Sequence, residues 1–149
     1  MSTMQTTAAD QLGHASARPD MFSYELASSS ASVPTCRRIV RAAAEQWALS
    51  ADTAYALMVI VSELATNVCL HSGSPDMQLA LRNGSQSVEV EVADRGQWKA
   101  PQNERLAKTA TSGRGLDITH AYAEGFALHR SPSGTRAVAR VGKQAAAAA

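Results

Sequence analysis

Apolar and polar positions alternate along five stretches of the chain. Phe22, Tyr24 and Leu26 are separated by polar residues, and Met77, Leu79 and Leu81 repeat the pattern. Val88, Val90 and Val92 alternate with Glu89 and Glu91. Phe126 and Leu128 open a shorter run, and Ala137, Ala139 and Val141 alternate with Arg136 and Arg140, with Val138 blurring the pattern. A period of two puts successive side chains on opposite faces, so each stretch reads as a strand with one buried and one wet face. Strands of a parallel sheet covered on both faces would read as continuous apolar runs instead. Asn83-Gly84-Ser85 predicts a hairpin turn between the second and third strands, and Ser131-Pro132-Ser133-Gly134 one between the last two.

Three further segments carry a helical pattern. Pro34–Ala48 has Ser32 as its cap and a proline near its start. Asp52–His71 is strongly apolar, capped by Ser50 or Asp52, and Arg114–Ala123 opens after Gly113. The order is β, α, α, β, β, α, β, β. Five half-wet strands need one face covered, and three helices can cover it. The expected fold is therefore a two-layer α/β (α+β) sandwich, a mostly antiparallel five-stranded sheet with three helices on one face. Residues 95–112 follow neither period and are too long for an ordinary connection, which marks a lid, a binding loop or a disordered segment, flanked by Gly96 and Gly113 as candidate hinges. Residues 1–20 read as a disordered arm, 21–142 as the domain and 143–149 as a tail.

Composition removes several functions. A chain of 149 residues is expected to form one domain, and its net charge of +1 lacks the basic footprint of a nucleic-acid binder or of a protein held electrostatically on a membrane. The longest near-continuous apolar run, Ala54–Val61, is short of the ~20 residues that cross a bilayer, and no secretory leader pattern opens the chain. Cys36 and Cys69 make neither a disulfide framework nor a four-ligand zinc site and read as small buried apolar residues. The expected location is the cytoplasm.

Four places carry candidate chemistry. On the second helix Glu63, Asn67 and His71 lie four apart, along one stripe of an otherwise apolar surface. The stripe is a wet helix edge, a Glu–His pair, or an oxygen-rich site that suits Mg2+ better than zinc. Counting by two from Val88 puts Asp94 on the inward face at the end of its strand. A carboxylate there either ends the strand in an Asp-Arg-Gly turn or accepts a hydrogen bond from a ligand amine. Ser112-Gly113-Arg114-Gly115-Leu116 opens a helix, as a hinge or as an anion site built from free N–H groups and an arginine. Thr135, after Gly134, shares the inward parity of Ala137 and Ala139. The phosphate loop of Gly-x4-Gly-Lys-Ser/Thr type, the dinucleotide Gly-x-Gly-x-x-Gly, the metalloprotease helix, the nucleophile elbow and the protein-kinase motif set are all missing from the sequence.

Taken in order, these motifs resemble those of the Bergerat-fold (GHKL, histidine-kinase-like) ATPases. Glu63-Leu64-Ala65-Thr66-Asn67 with His71 is similar to the N box, Asp94-Arg95-Gly96 to the first glycine box, Gly113-Arg114-Gly115-Leu116 to the second, and Gly134-Thr135 to the closing motif. The resemblance covers about residues 20–142, and the chain's length points to the small bacterial anti-sigma-factor serine/threonine kinases and their actinobacterial ATP-binding relatives. It implies ATP and Mg2+ as cofactors. Glu63 would be the catalytic base toward an acceptor hydroxyl. Asn67 would hold Mg2+, and Asp94, supported by Thr135, would accept from the adenine amine. Gly96 would let the chain pass close to the base. Gly113, Arg114, Gly115 and Leu116 would form the phosphate-binding helix start, with the ATP lid in 95–112. His71 receives no catalytic role. A sigma factor and an anti-anti-sigma (STAS-type) protein are the implied partners, with a homodimer as the implied assembly. The alternative is a nucleotide-gated binding module without kinase activity. One departure stands out: the first glycine box usually runs Asp-x-Gly-x-Gly, and here Gln97-Trp98 replaces its end. Trp98 either covers the nucleotide or packs on the lid.

Overall fold

The computed structural model describes residues 19–98 and 111–143. Residues 1–18, 99–110 and 144–149, which hold most of the expected arm (1–20), lid (95–112) and tail (143–149), lie outside the described residues. The elements in chain order are β1 (Met21–Ala27), α1 (Ser32–Gln46), α2 (Ala51–His71), β2 (Asp76–Asn83), β3 (Ser87–Asp94), α3 (Thr111–Tyr122), β4 (Gly125–Ser131) and β5 (Gly134–Gly142). The five strands form one sheet in the order β1-β2-β3-β5-β4, and each neighbouring pair is antiparallel. The expected sandwich of three helices on such a sheet is what the chain adopts.

Register turns the alternation into a buried face. Leu79 pairs with Val92 and Val92 with Ala137; Leu81 pairs with Val90 and Val90 with Ala139. All six side chains are buried. The row nearest the end of β3 runs Met77, Asp94, Thr135, so Asp94 continues a core row. At the edge of the sheet the pattern is obeyed less fully: Phe22 packs on Trp47 with ring centroids 5.3 Å apart, but Tyr24 on the same face stays exposed.

Helix α2 explains its unusual composition by its position. It packs against α1, α3, β3 and β5, so apolar residues are wanted almost all round it. Ile60, Val61, Leu64, Ala65 and Val68 are fully buried there, and each large aliphatic side chain so covered stabilises the fold by about 1.5–3 kcal/mol. At 21 residues α2 is long and apolar enough to cross a membrane by length and composition, beyond the run counted from the sequence. In this fold it is the central core helix. Cys36 is buried too, and burial pushes its thiol up to about 11, which makes it a poor nucleophile at neutral pH.

Two helix starts differ from expectation in an instructive way. Ser50 caps α2 as expected, its Oγ accepting from the Thr53 N–H at 3.1 Å. Ser32 does not cap α1; it is the first helical residue, and Ala31 stands at the cap without a side-chain bond. A preceding turn does the work, because the N–H groups of Ser32 and Val33 donate to the carbonyls of Ser29 and Ser30. Pro34 then has no N–H to satisfy.

Candidate functional site

Two strand ends and one helix define the site. Asp94 ends β3 and Thr135 is the second residue of β5, and the two are direct partners across the ladder. Both are buried, Asp94 at 8% exposure and Thr135 at 2%. A buried carboxylate must be hydrogen-bonded, and Asp94 is. Its Oδ1 accepts from the Gly96 N–H at 2.8 Å, and its Oδ2 accepts from the Trp98 indole Nε1–H at 2.6 Å. The Thr135 hydroxyl donates to the Gly96 carbonyl at 3.2 Å, and the Trp98 main-chain N–H reaches the same hydroxyl oxygen at 3.5 Å. The Asp94–Trp98 segment is thus a turn clipped onto β5.

Close backbone approach explains two glycines. A Cβ on Gly96 would overlap the carbonyl oxygen and hydroxyl of Ser72, at the end of α2. Gly134 has φ of +150°, and a Cβ there would overlap the Asp94 carbonyl oxygen. The Asp94 turn is therefore pressed against both β5 and the end of α2. A serine clip tightens this junction. Ser72 Oγ accepts from the Ser74 N–H at 3.1 Å, Ser74 Oγ accepts from the Arg95 N–H at 3.2 Å, and the Arg95 guanidinium meets Asp76 at 2.8 Å. Sequence reasoning missed Ser72 and Ser74. The polar triplet Ser72-Gly73-Ser74 after an apolar helix was their only signal.

The stripe on α2 is not a wet edge. Asn67 is buried at 5% exposure, and its carboxamide makes no hydrogen bond to another described residue. Glu63, one turn earlier, is half-buried, and burial raises its carboxyl above the ordinary value. The Nε2 atom of His71, one turn later, is buried with no partner. No Glu63–His71 pair forms among the described residues. No hydrogen bond there joins Glu63 or Asn67 to Asp94 or Thr135 either, so the two halves of the candidate site are not linked directly.

The glycine segment lies deeper in a helix than its pattern predicts. The third helix starts at Thr111, not after Gly113, so residues 111 and 112 belong to it and not to a loop. The N–H groups left without helical partners are those of the first four residues, Thr111 to Arg114, while that of Gly115 can bond back to Thr111. The side chains of Arg114 and Leu116 lie outside the described residues. Helix α3 packs along α2, and Tyr55 near the start of α2 meets Tyr122 at the end of α3, with ring centroids 5.9 Å apart. The two helices therefore run antiparallel, and the start of α3 lies toward the Glu63–Asn67 part of α2.

The arrangement offers a buried acceptor with a close-packed glycine turn, a helix carrying unengaged oxygen groups, and a second helix presenting its N-terminus nearby. Comparison with known proteins identifies the same kind of domain. The model of the histidine kinase-like ATPase domain matches residues 26–141. A search of the curated proteins found no match. Among solved structures, the chain is similar to the RsbU and RsbW domains of Rv1364c from Mycobacterium tuberculosis, with a TM-score of 0.64 and 18% identity over 84% of this chain. This chain spans 33% of that one. It is also similar to a structure of the SiaB–SiaC complex from Pseudomonas aeruginosa, with a TM-score of 0.61 and 12% identity over 93% of this chain and 99% of that one.

Proposed function

The chain belongs to the histidine kinase-like ATPase domain family, and from that premise we propose that it is an ATP- and Mg2+-dependent protein serine/threonine kinase of the anti-sigma-factor type. In this reading it binds a sigma factor, phosphorylates an anti-anti-sigma (STAS-type) protein, and works in the cytoplasm as a homodimer. The observation that carries the proposal is the pairing of a buried Asp94–Thr135 acceptor with the unengaged Glu63 and Asn67 on α2. The likeness to a structure of a two-protein complex supports a protein partner.

The donor set fits the proposed cofactor. Among the described residues no cluster of three or more His, Cys, Asp or Glu would cage a metal alone. Mg2+ needs no such cage, since it takes one or two protein oxygens and completes its shell with phosphates and water. The Asn67 carboxamide oxygen, buried and free, suits that role. ATP with Mg2+ would supply the transferable phosphoryl group. Glu63 would take the proton of the acceptor hydroxyl as its oxygen bonds to the transferred phosphorus and ADP leaves, and a carboxyl raised by burial is a better base near neutral pH than an ordinary one. Asp94 would accept from the base amine, and Thr135 holds the Gly96 carbonyl that shapes the turn. Of the expected phosphate-binding segment Gly113, Arg114, Gly115 and Leu116, the N–H groups of Gly113 and Arg114 lie in the unpaired first turn of α3 and would face the phosphates, with Gly115 and Leu116 in the turn behind them. Such chemistry is mostly positioning and charge neutralisation.

A second reading has its own observation. With Trp98 where the family pattern has glycine, the domain is a nucleotide-gated binding module that sequesters a regulatory partner without transferring phosphate. Calorimetric titration with ATP and Mg2+ tests the site: saturable binding by the wild type, lost in Asn67→Ala and Asp94→Ala, is expected, and no binding up to millimolar ATP by the wild type or by Trp98→Phe or Trp98→Ala overturns both readings. Phosphate transfer to a cognate partner then separates them. Glu63→Ala should lower transfer by about 10²–10⁴-fold with nucleotide binding kept. Binding with no transfer by the wild type leaves the module.

A further inference from the structure

The acceptor assigned above to the base is already in use. Trp98 is only 6% exposed and belongs to the buried core cluster, and its indole N–H donates to Asp94 Oδ2 at 2.6 Å. The other oxygen of Asp94 is held by its own turn through the Gly96 N–H at 2.8 Å. Indole and adenine are both flat, fused two-ring heteroaromatics with an N–H donor on one edge. A charge-assisted bond from such an edge to a buried carboxylate is among the stronger hydrogen bonds in proteins. Close-packed interiors do not hold two rings at one oxygen.

We infer that Trp98 is an internal occupant of the base slot: its indole N–H stands where the base amine would donate, and a nucleotide binds by displacing it. The inference rests on the reading of Asp94 as the base acceptor. The displaced indole gives up a hydrogen bond, and only a base with its own donor at that edge replaces it. A base presenting a carbonyl oxygen there would set two acceptors against each other, so Trp98 sharpens selection for an amine-bearing base as well as weakening binding. A slot free of the indole about a tenth of the time binds about tenfold more weakly than an open one.

The test uses the full chain and two readouts. Trp47→Phe leaves Trp98 as the sole tryptophan; Trp47 has other partners, its indole bonded to the Pro19 carbonyl and packed at a tilt on Phe22. Saturation with ATP and Mg2+ should shift Trp98 emission to the red and open it to acrylamide quenching. Calorimetry should show Trp98→Phe and Trp98→Ala binding ATP at least about tenfold more tightly than the wild type. Trp98→Phe keeps an aromatic ring and removes the donor, so it carries the result if the alanine variant fails to fold. Saturable wild-type binding with unchanged Trp98 emission, and no gain in Trp98→Phe, overturns the inference and leaves the proposed function standing. No binding by the wild type or either Trp98 variant up to millimolar ATP overturns the proposed function, and the inference with it.

Discussion

The α2 stripe and the Asp94 turn make opposite use of buried polar groups. On α2, Asn67 is buried without a described hydrogen-bond partner, His71 Nε2 is buried and unpaired, and Glu63 is held above its ordinary carboxyl range by burial. At the turn, both carboxylate oxygens of Asp94 are bonded and Thr135 holds the facing carbonyl. Leaving a polar group unpaired in a protein interior costs stability, whereas a satisfied one contributes it. The helix thus carries polar groups with no hydrogen-bond partner among the described residues. The turn is complete in itself, and a ligand there must exchange one bond for another. The two ends of one site should therefore respond differently to substitution, and stability measurements can separate them.

The largest effect is expected where the turn is pressed against its neighbours. Gly134→Ala meets a left-handed backbone and an overlap with the Asp94 carbonyl, and each contributes about 1–3 kcal/mol. Denaturant unfolding should show a loss of about 2–5 kcal/mol. A near-neutral result would mean that the turn is slack and the comparison mistaken. Next comes the direct contrast. Asp94→Ala strands the buried Trp98 N–H and should cost about 1–3 kcal/mol. Asn67→Ala removes a group that has no described hydrogen-bond partner and should change stability by less than about 0.5 kcal/mol in either direction. Equal losses in the two variants would erase the distinction between the ends.

The smallest effect concerns Glu63 and pH. Its carboxyl is raised in the folded chain from the ordinary 4.5, so the folded state holds a proton that the unfolded state has released over the interval above that value. Stability from this group is fully present below about pH 4.5 and declines as pH rises through the folded value. Glu63→Gln should therefore stabilise the protein slightly at pH 7, and the advantage should vanish in acid. Paired melts at the two pH values check the sign. A variant equally or less stable at pH 7 would mean that Glu63 has a stabilising partner.

Much of this was legible in the chain because it is local. Alternation at Val88, Val90 and Val92 carries the count to Asp94, and the ladder delivers Asp94 to the core face. The Ser50 cap is a three-residue interaction and was read correctly, whereas Ser32 was misread because the turn before it supplies the carbonyls. The third helix starts at Thr111, ahead of the glycines expected to precede it, because glycine is tolerated within a first turn where few helical bonds have formed.

By itself the sequence determined the layer architecture, the order of the elements, the inward parity of Asp94 and Thr135, and the stripe on α2. All of these follow from short periods along one chain segment. Tertiary structure alone decided which groups are met. Thr135 finds Gly96 across 39 residues, Gly96 rests on Ser72 at the end of another element, and α2 is walled in until Asn67 is only 5% exposed. It also turned the Trp98 indole onto Asp94, four residues away. A period assigns a face to a residue. Its partner is set by what other strands and helices bring to that face, through packing that no local pattern encodes.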